Sequence, residues 1–169
     1  METLRSYEAL RAKLRVLPKP CVVAIEGFCG SGKSHLADQL GRDVPALVFH
    51  IDDFATKHEN PPPYLDCLRL PELIDVHTRW DRVTPWIVEG ICLREVLAAC
   101  AIDASLFIYI KRLSANGRLW HDGFHLENFE AESAIELEPH LSDLKYHSRV
   151  RPHERADITY LRVEADGDV

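Results

Sequence analysis

The densest chemistry in the chain is Gly27-Phe28-Cys29-Gly30-Ser31-Gly32-Lys33-Ser34, which fits G-x-x-x-x-G-K-[ST]. It follows an apolar run directly and leads directly into a helical pattern. Glycines let a backbone wrap with its N–H groups inward, which makes a nest for an anion. A helix beginning at Lys33 adds the positive end of its dipole. Lys33 would bring a full charge to β- and γ-phosphates, and the Ser34 hydroxyl could ligate Mg²⁺. ATP and Mg²⁺ are therefore the expected ligands, with residues 27–34 as the nucleotide-binding loop.

Carboxylates stand at the ends of two further apolar runs. Asp52 and Asp53 follow A-L-V-F-H-I at 46–51, and Glu89 closes W-I-V-E at 86–89. Such groups can hold Mg²⁺, directly or through water, or take a proton from a substrate hydroxyl. Ser34, Asp52 and Glu89 form the expected metal set. Neighbouring residues of extended chain point opposite ways, so the choice of base between Asp52 and Asp53 stays open, with Asp52 preferred. No N-K-x-D motif is present, which argues against a GTPase. No run of four apolar residues ends in Asp-Glu after the loop, which argues against an ATP-hydrolysing motor.

Lys111, Arg112 and Arg118 follow a fourth apolar run, and Arg149, Arg151 and Arg155 precede a fifth. Arginines commonly neutralise charge on a transferring phosphoryl group. Arg118 is the catalytic candidate, on a helix expected over 114–120, and Arg112 is a nucleotide-binding candidate. Residues Trp120–Phe129 could form a lid that excludes water. Cys29, inside the loop at a helix N-terminus, is expected to have a lowered thiol pKa.

These groups need a frame. Short apolar runs at 21–26, 46–51, 86–89, 105–110 and 158–163 read as five strands. Helical patterns fall at 3–17, 33–41, 91–100, 114–120 and 130–148. Strands apolar on both faces, alternating with helices, predict an α/β fold: three layers around a five-stranded parallel sheet. Ligands of such sheets sit at the carboxyl ends of the strands, where the loop and the acids lie. Pro61, Pro62 and Pro63 lock φ and remove backbone donors, which predicts an extended loop.

The chain has 169 residues, the size of about one domain. Its net charge is −7, which disfavours nucleic acid and anionic membrane as partners. No apolar run approaches the length of a membrane helix, and the charged N-terminus does not read as a signal peptide. Five cysteines without a C-x-x-C pair predict a reducing, cytoplasmic setting and no zinc site. The pair His121 and His125 lacks a third ligand nearby and reads as chance spacing.

Together, A-I-E-G-F-C-G-S-G-K-S at 24–34, I-D-D-F at 51–54, I-V-E-G-I at 87–91 and R-P-H-E-R-A-D-I at 151–158 resemble the P-loop nucleoside kinases of the uridine kinase-like group. The resemblance spans about residues 20–163. It implies phosphate binding by Gly27, Gly30, Gly32, Lys33 and Ser34, with Asp52 as base near the metal. It implies that Glu89 reaches Mg²⁺ through water and that Arg118 is a lid arginine. It places the 151–158 segment near the adenine. His121 stands where the family often has Arg, and the acceptor region, about 55–85, is shorter than the family's. Asp53, Tyr64 and Asp66 are its candidate substrate contacts.

The expectation is a single kinase domain over 1–169, with an N-terminal helix within 1–19 and a short lid at about 118–130. It would transfer the γ-phosphoryl group of ATP to a hydroxyl of a small, neutral molecule, a nucleoside first, as a monomer or homodimer. The alternatives are another small-metabolite acceptor (sugar, vitamin precursor, nucleotide or antibiotic) or a nucleotide-binding regulator without turnover.

Overall fold

A computed structural model describes residues 1–129 and 137–164. The sheet is parallel throughout, in the order β1-β6-β5-β2-β4-β3. Its strands are β1 (Glu2–Leu4), β2 (Val22–Glu26), β3 (Leu47–His50), β4 (Trp86–Glu89), β5 (Leu106–Leu113) and β6 (Ile158–Val163). The helices are α1 (Tyr7–Arg15), α2 (Lys33–Asp43), α3 (Leu70–Arg79), α4 (Leu93–Ala99), α5 (Gly123–Glu127), α6 (His140–Val150) and α7 (Pro152–Arg155).

Strand alternation builds the three layers. Val22 and Ala24 of β2, with Trp86 and Val88 of β4, face one core with Leu73 of α3 and Val96 and Leu97 of α4. Val23, Ile25 and Ile87 face the other, with Leu10 and Leu14 of α1 and Leu36, Ala37 and Leu40 of α2. All five residues of β2 are buried, as a central parallel strand requires. Each large core side chain contributes about 1.5–3 kcal/mol by burial.

Several expectations need correction. Among the described residues there are six strands, not five: residues 2–4 form β1, which pairs with β6, and the first helix starts only at Tyr7, capped by Ser6. A strand of three mostly exposed residues carries no periodic signal. The second run is β3, an edge strand that is only partly buried. The fourth run extends to Leu113, so Lys111 and Arg112 lie in the strand, beside Leu161 and Arg162 of β6.

No helix follows at 114–120. Instead the chain turns back through Gly117 (φ 67°), and Trp120 bridges to Leu113. The side chains of Ser114 and Asn116 drive this turn, accepting from the Leu119 and Arg118 amides. These are the local bonds by which Ser and Asn compete with helix. Of the helix expected at 130–148, the described part begins at His140, and residues 130–136 lie outside the described residues. Residue 130 of the expected lid does so too; within that span, α5 is the only described helix. Among the described residues, no helix is long and apolar enough to cross a membrane.

His153 on α7 is buried among Tyr109, Trp120 and His147, and neither ring nitrogen has a hydrogen-bond partner. Burial, with Lys111 nearby, pulls its pKa down to about 4. A lowered folded-state pKa stabilises above the ordinary value near 6.5 and loses that contribution as pH falls toward 4. The expected result is a loss of roughly 2 kcal/mol from this group between pH 7.5 and 5.0. Urea unfolding at the two pH values should show a smaller difference for His153→Gln; equal differences would contradict this origin.

Candidate active site

β2 delivers the chain at Glu26 to the glycine-rich turn, and α2 starts at Lys33. The turn needs left-handed backbone at Gly30 (φ 76°) and Gly32 (φ 93°). The φ at Gly32 disfavours any side chain, and a Cβ there would also displace the Arg162 guanidinium, whose Nη1 it would approach to 2.5 Å. Lys33 is 8% exposed, and its Nζ donates to the Phe28 carbonyl at 3.1 Å. The Ser31 hydroxyl is buried with no partner. Arg112 and Arg162, register partners at the ends of β5 and β6, donate to the Gly30 and Ser31 carbonyls at 3.5 and 3.3 Å. The loop thus combines an anion nest, a buried ammonium and two flanking guanidinium groups, and these donors fit a nucleotide's phosphates.

The expected carboxylates line the same edge. Glu89 is 3% exposed, and its Oε1 accepts from the Ser34 hydroxyl at 3.0 Å. A hydroxyl and a carboxylate oxygen so placed fit Mg²⁺, whose preferred ligands are oxygens. Asp52 lies in a 3-10 turn, Ile51–Phe54, immediately after β3. Its Oδ1 accepts from the Tyr64 hydroxyl at 2.6 Å. Burial and the charge of Asp52 push the Tyr64 phenol up, so Tyr64 remains a donor. Tyr64 itself is buried in a second 3-10 turn, Tyr64–Cys67.

The other expected residues divide. Arg112 reaches the loop, while its Nε lies 3.4 Å from Glu164 and Nη2 lies 4.0 Å from Asp122. Arg118 is exposed in the Ser114–Leu119 turn and is not brought to the loop, because the helix meant to carry it does not form. Asp53 is exposed; its backbone carbonyl takes a hydrogen bond from Arg69. Asp66 is exposed and does not meet Asp52. Arg149 pairs with Glu95 and Arg151 with Glu154, and His121 with Glu164 at 2.9 Å. Cys29 is exposed, yet partial desolvation of its thiol, with the charges of Asp143 and Asp52 nearby, pushes its pKa up against the pull of Lys33. That direction is opposite to the expected one.

Sequence reasoning missed the groups behind the loop. The fully buried Asp143 of α6 accepts the Cys29 amide at 3.1 Å, and its other oxygen lies 3.1 Å from His147 Nδ1. Next to it, Ser142 Oγ accepts the Tyr64 amide at 3.0 Å. Glu26, buried at the end of β2, is paired with Arg94 at 3.0 Å and takes a short hydrogen bond from Tyr146. Burial pushes the Glu26 carboxyl up against the pull of Arg94. Apart from Asp143–His147, four residues apart, these contacts join distant parts of the chain, up to 120 residues for Tyr146 and Glu26, and only Glu26, a charge at the end of an apolar run, offered a local signal.

No protein-family model matches the chain, and no curated protein matches it. Solved structures do match. One, described as a possible uridine kinase from Bacillus stearothermophilus, is 15% identical with a TM-score of 0.59, covering 91% of this chain and 96% of its own. Another carries the provisional description of a fructose transport system kinase, from Silicibacter sp. TM1040. It is 16% identical with a TM-score of 0.50, covering 93% of this chain and all of its own.

Cys29 provides a test of the loop's electrostatics. At pH 7.5 iodoacetamide should label it more slowly than it labels an unstructured cysteine peptide, with the rate rising steeply toward higher pH. Peptide mapping by mass spectrometry measures this; labelling as fast as the peptide's would mean that Lys33 and the helix dipole prevail over burial.

Proposed function

The chain has the fold of the P-loop small-molecule kinases, and from that premise we propose that it transfers the γ-phosphoryl group of ATP to a hydroxyl of a small molecule. The observation that carries this reading is the juxtaposition of Ser34 and Glu89 at the mouth of the loop, with Asp52 at the end of the next strand. That pairing supplies a metal position and a hydroxyl-accepting carboxylate on one sheet edge.

The backbone amides of the loop other than those of Cys29 and Ser31, which are bonded to Asp143 and Phe28, would bind and orient the phosphates with Lys33, and Arg112 and Arg162 would flank them. Ser34 and Glu89 would hold Mg²⁺, which would supply positive charge to offset that of the phosphates. Asp52 orients the acceptor hydroxyl and takes its proton. Its existing bond to Tyr64 supports this role, since Asp52 Oδ1 already accepts from a hydroxyl. Tyr64 then marks the acceptor side of the site. Catalysis on this scaffold is mainly positioning and electrostatics.

A neutral acceptor is favoured. The cavity beside Tyr64, about 390 Å³, is lined by two acids, Glu95 and Glu138, and two bases, Lys145 and Arg149. Opposite charges in equal number suit a polar, uncharged molecule. A nucleoside is the first class to test, and sugars and vitamin precursors are the next. Residues 118–129 would serve as the described part of a lid within one kinase domain. The reaction belongs in a reducing cytoplasm, with no nucleic acid or membrane partner, in a monomer or homodimer.

The test is ADP release from MgATP against a panel of nucleosides, sugars and vitamin precursors. The expected result is acceptor-dependent release that falls by at least about 10²-fold in Lys33→Ala and in Asp52→Asn. ATP binding without release on any acceptor would favour a regulator without turnover, and failure of ATP to bind would overturn the phosphate-loop reading.

A further inference from the structure

His50 is absorbed by none of the roles above, yet it touches the metal-facing carboxylate. It ends β3 and is the register partner of Glu89 on β4. Register partners on neighbouring strands project to the same face, about 5 Å apart. His50 Nδ1 lies 2.6 Å from Glu89 Oε1, the oxygen that also accepts from Ser34. Its other nitrogen, Nε2, lies 3.2 Å from Asp38 Oδ1. Asp38 stands four residues after Ser34 on α2, hence on the same helix face. The four side chains form a chain that leaves α2 at Ser34, crosses Glu89 and His50, and returns to α2 at Asp38.

We propose that His50 is a positioning residue for the metal site, a role that rests on the nucleotide reading above. A glutamate has three rotatable side-chain bonds, and Glu89 must present one oxygen in a fixed direction. Ser34 and His50 both engage Oε1, and no protein donor among the described residues engages Oε2. His50 therefore fixes which oxygen of Glu89 remains for a cation. Asp38 holds the ring from the other side, so the imidazole plane is tied to the helix that begins at the phosphate loop. Residues that orient a ligating carboxylate in this way typically change metal affinity by 10–100-fold when removed.

The test measures Mn²⁺ binding to the full-length protein in the presence of saturating ADP, by electron paramagnetic resonance. ADP affinity without metal is measured beside it. His50→Phe removes both ring nitrogens and keeps a ring. His50→Gln keeps one N–H able to reach Glu89. The expected result is that His50→Phe weakens Mn²⁺ binding at least tenfold. Metal-free ADP affinity should stay within twofold, and His50→Gln should recover most of the loss.

Mn²⁺ affinity within twofold of wild type in His50→Phe would overturn the proposal alone. So would an equal loss of metal-free ADP affinity in both variants, which marks a purely structural residue. If the wild-type protein binds Mn²⁺ no better with ADP than without, the nucleotide reading falls and takes the proposal with it.

Discussion

A strand hydrogen-bonded on both edges by parallel neighbours has no freedom about where its chain leaves the sheet. β2 is held in this way by β4 and β5, with every residue buried. The turn after Glu26 must therefore open at the edge where β3, β4, β5 and β6 also end. Asp52, Glu89, Arg112 and Arg162 are gathered there by that constraint, although they are far apart in the chain. The β2 register decides what each of them meets. A one-residue slip would turn every side chain of the strand to the opposite layer.

The edge so formed has an electrostatic asymmetry. On the proposed reading a chain of net charge −7 receives a polyanion, with few cations placed close to one turn. Lys33 sits within the loop, with Arg112 and Arg162 at its flanks. Acids stand close to this group as well. Asp143 accepts the Cys29 amide, Glu89 accepts from Ser34, and Glu164 lies 3.4 Å from Arg112. Glu26 is paired with Arg94, whose guanidinium also lies 3.7 Å over the Phe107 ring. Leaving either member of such a buried pair alone would be strongly destabilising.

The parts legible in the sequence were those whose physics is local. The loop could be read because glycine, lysine and hydroxyl positions are dictated by a single turn. The placement of Asp52 and Glu89 at strand ends could be read because each charge closes an apolar run. Arg118 was misplaced because Ser114, Asn116 and Gly117 favour a turn over a helix through side-chain-to-backbone bonds that helical periodicity does not register. β1 was missed because three residues are too few to show a period. The environment of Cys29 was misjudged because the fold brings Asp143 and Asp52 near an exposed thiol that the local sequence pairs only with Lys33 and a helix N-terminus. Asp143 lies 114 residues from the amide it accepts, and His50 meets Glu89 only through strand register. Neither distance exists until the sheet has formed.

The first turn of α6 carries a consequence of its own. Ser142 accepts the amide of Tyr64, and Asp143 accepts the amide of Cys29. One turn therefore anchors both the segment beside Asp52 and the glycine-rich loop. Neither can shift far without stretching a hydrogen bond whose neighbour holds the other. The two halves of the cleft behave mechanically as the jaws of one clamp with a common fulcrum. Free energy spent in moving one jaw is shared, by linkage, with the other.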